Sequence, residues 1–138
     1  AHAEPFDDLA ALEAHLRRIH APFGPLNDAE WRHLAVSSAR ITAAGRVALH
    51  YDPAIAVPFR MGPPVDAVLW PLWAMVRQPV LLLRGERSDL LPAAVAATMA
   101  ERDGVRLEVV PGCGHAPALM DPAQVATITG FLADTARN

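Results

Sequence analysis

Apolar residues recur at Leu9, Leu12, Leu16 and Ile19, three or four positions apart, with Asp7 and Asp8 just ahead of them. That spacing predicts a helix over 6–20 with one buried face, its N-terminus favoured by the two carboxylates. Pro22, Gly24 and Pro25 break the pattern, and Asn27 or Asp28 is placed to cap a second helix carrying Trp31, Leu34 and Ala35. Residues 40–51 set β-branched and aromatic residues on either side of Gly45, which predicts a weak hairpin or an irregular excursion. Pro53, Pro58, Pro63 and Pro64 make 52–64 a loop or boundary. Over 65–76 the residues Val68, Leu69, Leu72, Trp73 and Val76 return to helical spacing around Pro71, which should kink the segment or begin a new helical turn.

The second half alternates differently. Val80 to Leu83 is an unbroken aliphatic run ending at Arg84-Gly85, as a parallel strand covered on both faces would be. Pro92 suits the first turn of a helix through Val95 and Met99 to Arg102, with Gly104 as its stop, and Val105 to Val110 predicts a second strand. Together these form a β-α-β unit whose strands can lie parallel. After the loop Pro111-Gly112-Cys113-Gly114-His115, Asp121 can cap a last helix with Pro122 in its first position. There Gln124 would close a capping-box-like pair, and Val125, Ile128, Phe131 and Leu132 would form its buried stripe. The division read from this pattern is a helical part over 5–60 and an α/β part over 61–138.

Composition narrows the function classes. With 138 residues, 52% of them hydrophobic, the chain can build one core and is too short for two ordinary domains. A net charge of −3 with scattered Lys and Arg gives no footprint for nucleic acid. No apolar run is long enough for a bilayer span and no signal segment opens the chain, so the expectation is a soluble cytoplasmic protein. Cys113 is the only cysteine, which excludes an internal disulfide and argues against a structural zinc site. A chain opening on Ala1 rather than Met is expected to be processed, trimmed or cut from something larger.

In open parallel sheets chemistry collects beyond the carboxyl ends of the strands, here the loops after Leu83 and Val110. Asp89 lies in the first and His115 in the second. A carboxylate and an imidazole from adjacent strand ends can form the orienting half of a nucleophilic triad, the acid fixing the tautomer and the ring moving the proton. Each has a plainer reading: Asp89 as a cap for the helix near Pro92, His115 as a loop histidine satisfied by backbone. Cys113 is expected to behave as a small buried hydrophobe, and Ser88 to hydrogen-bond within its turn. Neither His15, His20, His33 and His50 nor Ser37 and Ser38 show a site pattern. Phe23, Trp31, Trp70 and Trp73 are core candidates before they are pocket candidates.

The segments Pro79-Val80-Leu81-Leu82-Leu83-Arg84-Gly85-Glu86-Arg87-Ser88-Asp89 and Gly112-Cys113-Gly114-His115-Ala116-Pro117 resemble the acid and histidine segments of the α/β-hydrolase family, in the family's acid-before-histidine order. The resemblance covers 65–138, and the helical part looks like the lid that the family inserts before the acid-bearing strand. It implies an α/β fold class, the C-terminal part of an α/β-hydrolase core preceded by a helical lid, with Asp89 as catalytic acid and His115 as catalytic base. The family's Gly-x-Ser-x-Gly elbow does not occur between Ala1 and Asn138.

The implied function is hydrolysis of an ester, thioester or amide of an apolar small molecule through a Ser-His-Asp triad. Its nucleophile would lie upstream of these residues, and no cofactor or metal is called for. An aspartate nucleophile is the family's other option. The strand at Val80 to Leu83 would then lack a neighbour, to be covered by the protein's own N-terminal half or a second copy of the chain. The alternative from another class is a non-catalytic interaction module that keeps an α/β-hydrolase C-terminal half.

Overall fold

α1 spans Leu9–Ile19 because its predicted apolar face finds partners. Asp8 opens it, its Oδ1 accepting the Ala11 N–H at 2.8 Å. Leu12 and Leu16 are buried in one cluster with Ala35 of α2 (Asp28–Ser38) and with Val47, and Phe6, Leu9, Ala39 and Leu49 pack around it. Ile19, the last residue of the predicted stripe, is instead exposed. The computed structural model describes residues 4–58 and 68–137. They fall into two compact units, Ala1–Arg17 with Trp31–Arg77 and Arg18–Glu30 with Gln78–Asn138.

Asn27 is the residue that caps α2. Its Oδ1 accepts the Glu30 N–H at 3.0 Å while Glu30 Oε2 accepts the Asn27 N–H at 2.7 Å, a reciprocal capping box. Asn27→Ala removes half of it and is expected to lower stability by about 1 kcal/mol, measurable as a shift of the urea midpoint at unchanged m-value.

The expected hairpin forms. β1 (Ala39–Ile41) pairs antiparallel with β2 (Val47–Leu49), Arg40 opposite Ala48. Gly45 takes φ 75° in the turn. Phe6 adds an isolated bridge to Val47. In the proline-rich stretch Pro53–Ala56 is a short 3₁₀ turn, and the 59–64 part of the expected loop lies outside the described residues. Of the helix expected over 65–76, residues 65–67 also lie outside them. α3 covers Trp70–Met75 with Pro71 in its first turn, so the proline starts this helix. Trp31 is buried, with the Arg17 guanidinium 5.6 Å from its ring centroid, whereas Trp70 is 42% exposed and belongs to no core among the described residues.

The second unit holds the β-α-β motif. β3 (Val80–Gly85) and β4 (Val105–Val110) are parallel and in register from Val80 opposite Val105 to Gly85 opposite Val110. α4 (Ala93–Ala100) connects them. Pro92 stands just before α4 rather than in its first turn, its carbonyl accepting the Ala96 N–H at 3.1 Å, and the helix stops before Arg102. Val80 to Leu83 are only half-buried, short of the cover expected on both faces, because among the described residues β3 pairs with β4 alone.

α5 (Pro122–Thr135) begins as expected, Asp121 Oδ1 accepting the Ala123 and Gln124 N–H groups at 2.8 and 3.3 Å. One expectation for it fails and another holds only in part. Gln124 Oε1 is buried without a hydrogen bond among the described residues, so the capping box is not closed. Val125 and Leu132 are exposed while Ile128 and Phe131 are half-buried, so the predicted stripe is covered only in part among the described residues.

Candidate active site

Both strands of the parallel pair run straight into the loops that carry Asp89 and His115, and the two loops are tied together atom by atom. Past the last strand pair, the Glu86 N–H donates to the Val110 carbonyl at 2.9 Å and the Arg87 N–H to the Cys113 carbonyl at 2.8 Å. The Gly112 N–H donates to Glu86 Oε2 at 2.9 Å, and the Arg87 guanidinium donates to the Gly112 carbonyl.

A third segment, to which no motif points, clamps the histidine loop. The Pro22 carbonyl accepts the Gly114 N–H at 2.7 Å and the Phe23 carbonyl accepts the Ala118 N–H at 3.2 Å. Cys113, 1% exposed, points its Sγ at the same Phe23 carbonyl, 3.4 Å away. Burial pushes its thiol pKa up; nearby Arg87 works against that shift and Asp121 adds to it. A thiol held protonated in this way is a packing group, not a nucleophile.

The glycines divide the work. Gly112, at φ 68°, makes the turn that glycine tolerates. Gly114 instead makes room for a neighbour, since a Cβ there would lie 2.7 Å from Pro22 Cβ, and a Cβ on Gly85 would lie 1.7 Å from the Gly114 carbonyl oxygen. Three backbones from distant parts of the chain meet where only hydrogens fit.

The acid loop is shaped by Arg84, a buried arginine bonded to backbone carbonyls. Its Nε donates to the Leu91 carbonyl at 2.7 Å, Nη1 to that of Glu86 at 3.0 Å and Nη2 to that of Ser88 at 3.4 Å. One guanidinium thus gathers three carbonyls of the 86–91 loop. Arg84→Met leaves those carbonyls without donors and should cost about 2–4 kcal/mol; the check is a urea melt, with Arg87→Met, an exposed neighbour, as the comparison.

Asp89 and His115 come together on one cleft of about 450 Å³, lined also by Ala21, Pro22, Arg87 and Gly114, and both are exposed to it. They are not hydrogen-bonded to each other. His115 Nδ1 instead lies 3.0 Å from Ser88 Oγ, which also accepts the Leu91 N–H at 3.0 Å. Ser88 therefore bonds within its turn, as expected, and reaches the histidine as well, which the sequence did not indicate. Phe23 lines a second cavity of about 800 Å³ with Leu83, Glu108, Val110, Cys113 and Gln124. Among the described residues no group of three or more His, Cys, Asp or Glu could hold a metal ion, and no helix is long and apolar enough to cross a membrane.

The architecture has relatives. A family model described as the alpha/beta hydrolase family matches residues 2–128. The chain belongs to the α/β-hydrolase family. It is 39% identical over 127 residues to a 3-hydroxybutyrate-oligomer hydrolase of Cupriavidus necator, covering 86% of this chain and 43% of that protein. Among solved structures, a hydrolase structure from Rickettsia typhi superposes with a TM-score of 0.83 at 29% identity, covering 95% of this chain and 44% of that one. An alpha/beta hydrolase from Novosphingobium aromaticivorans gives 0.79 at 34% identity, with 94% and 47% covered. The chain thus spans less than half the length of each, and its fold is part of the α/β-hydrolase fold.

Proposed function

We propose that this α/β-hydrolase chain contributes the base and the acid of a hydrolytic site. His115 acts as general base and then acid, Asp89 stabilises the imidazolium, and a serine outside these 138 residues is the nucleophile. The observation that carries the reading is that His115 and Asp89, from the ends of two paired parallel strands, line one cleft. Such a pair next to a serine hydroxyl would take its proton as it attacks an acyl carbon and return that proton to the leaving group.

Ester, thioester and amide bonds all suit that chemistry. Likeness to a 3-hydroxybutyrate-oligomer hydrolase favours an ester of a short hydroxyacyl chain. The helical segment before β3 is the lid over that substrate in this reading. The half-covered strand β3 and the exposed Val125 and Leu132 of α5 are where the protein's own N-terminal half, or a second copy, would pack.

The test is labelling of the intact protein with a fluorophosphonate probe, beside a panel of short acyl esters, thioesters and amides. Labelling with ester turnover supports the reading. Epoxide or haloalkane turnover without labelling would point to an aspartate nucleophile, and neither activity would leave an interaction module built on a hydrolase half.

A further inference from the structure

Of the described residues that line the cleft of Asp89 and His115, Arg87 brings a permanent positive charge. Its backbone is fixed, the N–H donating to the Cys113 carbonyl at 2.8 Å. Its guanidinium is held too, Nη2 donating to the Gly112 carbonyl. The charge is felt inside the histidine loop, where it pulls the buried Cys113 thiol pKa down against the effect of burial. A guanidinium has five N–H donors in one plane, and one carbonyl uses one of them. Arg87 is exposed, and among the described residues no carboxylate forms an ion pair with it. The neighbouring wall is small and apolar: Ala21 and Pro22 supply it, tied to the histidine loop where the Pro22 carbonyl accepts the Gly114 N–H at 2.7 Å.

We propose that Arg87 is a specificity-determining residue of this cleft, and that the ester it selects carries a free carboxylate, as an ester formed on the hydroxyl of a hydroxy acid does. This deepens the reading of His115 and Asp89 as a hydrolytic pair and rests on it. Two parallel N–H donors of a guanidinium match the two oxygens of a carboxylate. A phosphate dianion suits the cleft less, because Asp89 repels both of its charges and Arg87 offsets only one.

In the reaction the ester C–O bond breaks, the oxygen of water joins the acyl carbon, and the hydroxy acid leaves with a proton from that water. The carboxylate held by Arg87 makes and breaks no bond. It is bound alike in the ground state and the transition state, so Arg87 acts on KM rather than kcat.

The experiment measures kcat and KM of the intact protein on the butyryl ester of lactate, with its carboxylate free or capped as a primary amide. Wild type is expected to favour the free acid about tenfold in kcat/KM, the worth of one charge-assisted contact at an exposed site. Arg87→Gln, which keeps an N–H donor but loses the charge, should raise KM for the free acid about tenfold and leave the capped ester unchanged. Arg87→Lys, which keeps the charge but not the fork, should fall between them.

A wild type without the preference overturns the proposal, and so does a preference that survives in Arg87→Gln. Equal losses on both esters in Arg87→Gln also overturn it, leaving Arg87 only its bond to the Gly112 carbonyl. Titration of lactate into the same proteins, followed by NMR, separates this from failure of the hydrolase reading. Lactate binding that Arg87→Gln abolishes, in a protein that turns over neither ester, keeps the carboxylate site and removes the hydrolytic pair. Lactate binding that is absent, or indifferent to Arg87→Gln, in such a protein overturns both.

Discussion

Gly85→Ala is expected to destabilise the α/β unit by about 4 kcal/mol or more, enough to unfold many domains of this size. The added methyl would sit 1.7 Å from the Gly114 carbonyl oxygen, 2.8 Å from its carbonyl carbon and 2.9 Å from the Cys113 carbonyl oxygen. All three are backbone, so no rotamer change relieves the clash. β3 must move away from the histidine loop, and the Arg87–Cys113 and Glu86–Val110 hydrogen bonds stretch with it. Ordinary overpacking costs about 1–3 kcal/mol because side chains give way; here none can. Gly130 of α5 is the control, since a Cβ there meets nothing within 4 Å. Gly130→Ala should stabilise by about 0.5–1 kcal/mol through helix propensity. Denaturant melts of both variants decide the matter: a Gly85→Ala protein as stable as wild type would mean that the two loops do not meet as described.

The sequence carried the local half of this architecture. The period of three to four at Leu9, Leu12 and Leu16, the aliphatic run before Arg84-Gly85 and the Asp121-Pro122 start of α5 are each written in a few consecutive residues, and each forms. Asp89 and His115 were legible as a pair for a related reason: parallel register sends the ends of β3 and β4 to one edge of the sheet. What depends on contacts between distant segments was not legible. Nothing around Pro22 indicates that its carbonyl will bind Gly114, far along the chain, and nothing around Gly114 tells a turn glycine from one that makes room for two other backbones. Arg84 read as a strand terminator because a buried guanidinium bonded to carbonyls has no pairing signal in the sequence. The stripe on α5 was visible, but its burial depends on what packs there. That is a property of the surface opposite, and periodicity along α5 cannot report it.

His115→Gln in the intact protein is expected to lower kcat on the order of 10⁵-fold, about 7 kcal/mol of transition-state stabilisation, with KM close to wild type. Glutamine can still accept the Ser88 hydroxyl bond through its amide oxygen, yet it cannot carry a proton between nucleophile and leaving group. Stability should scarcely change, because His115 is exposed and its side-chain hydrogen bond among the described residues is the one to Ser88. Asp89→Asn should cost less, by about a factor of 100, since the carboxylate orients and stabilises the ring but does not itself move the proton. The order of the two losses carries the argument. If Asp89→Asn were silent while His115→Gln was crippling, Asp89 would be left with the role of capping the loop before α4, and another group would have to orient the ring at Nδ1. If both were silent against an ester that the wild type hydrolyses, the chemistry would have to sit elsewhere than on the cleft that these two strand ends share.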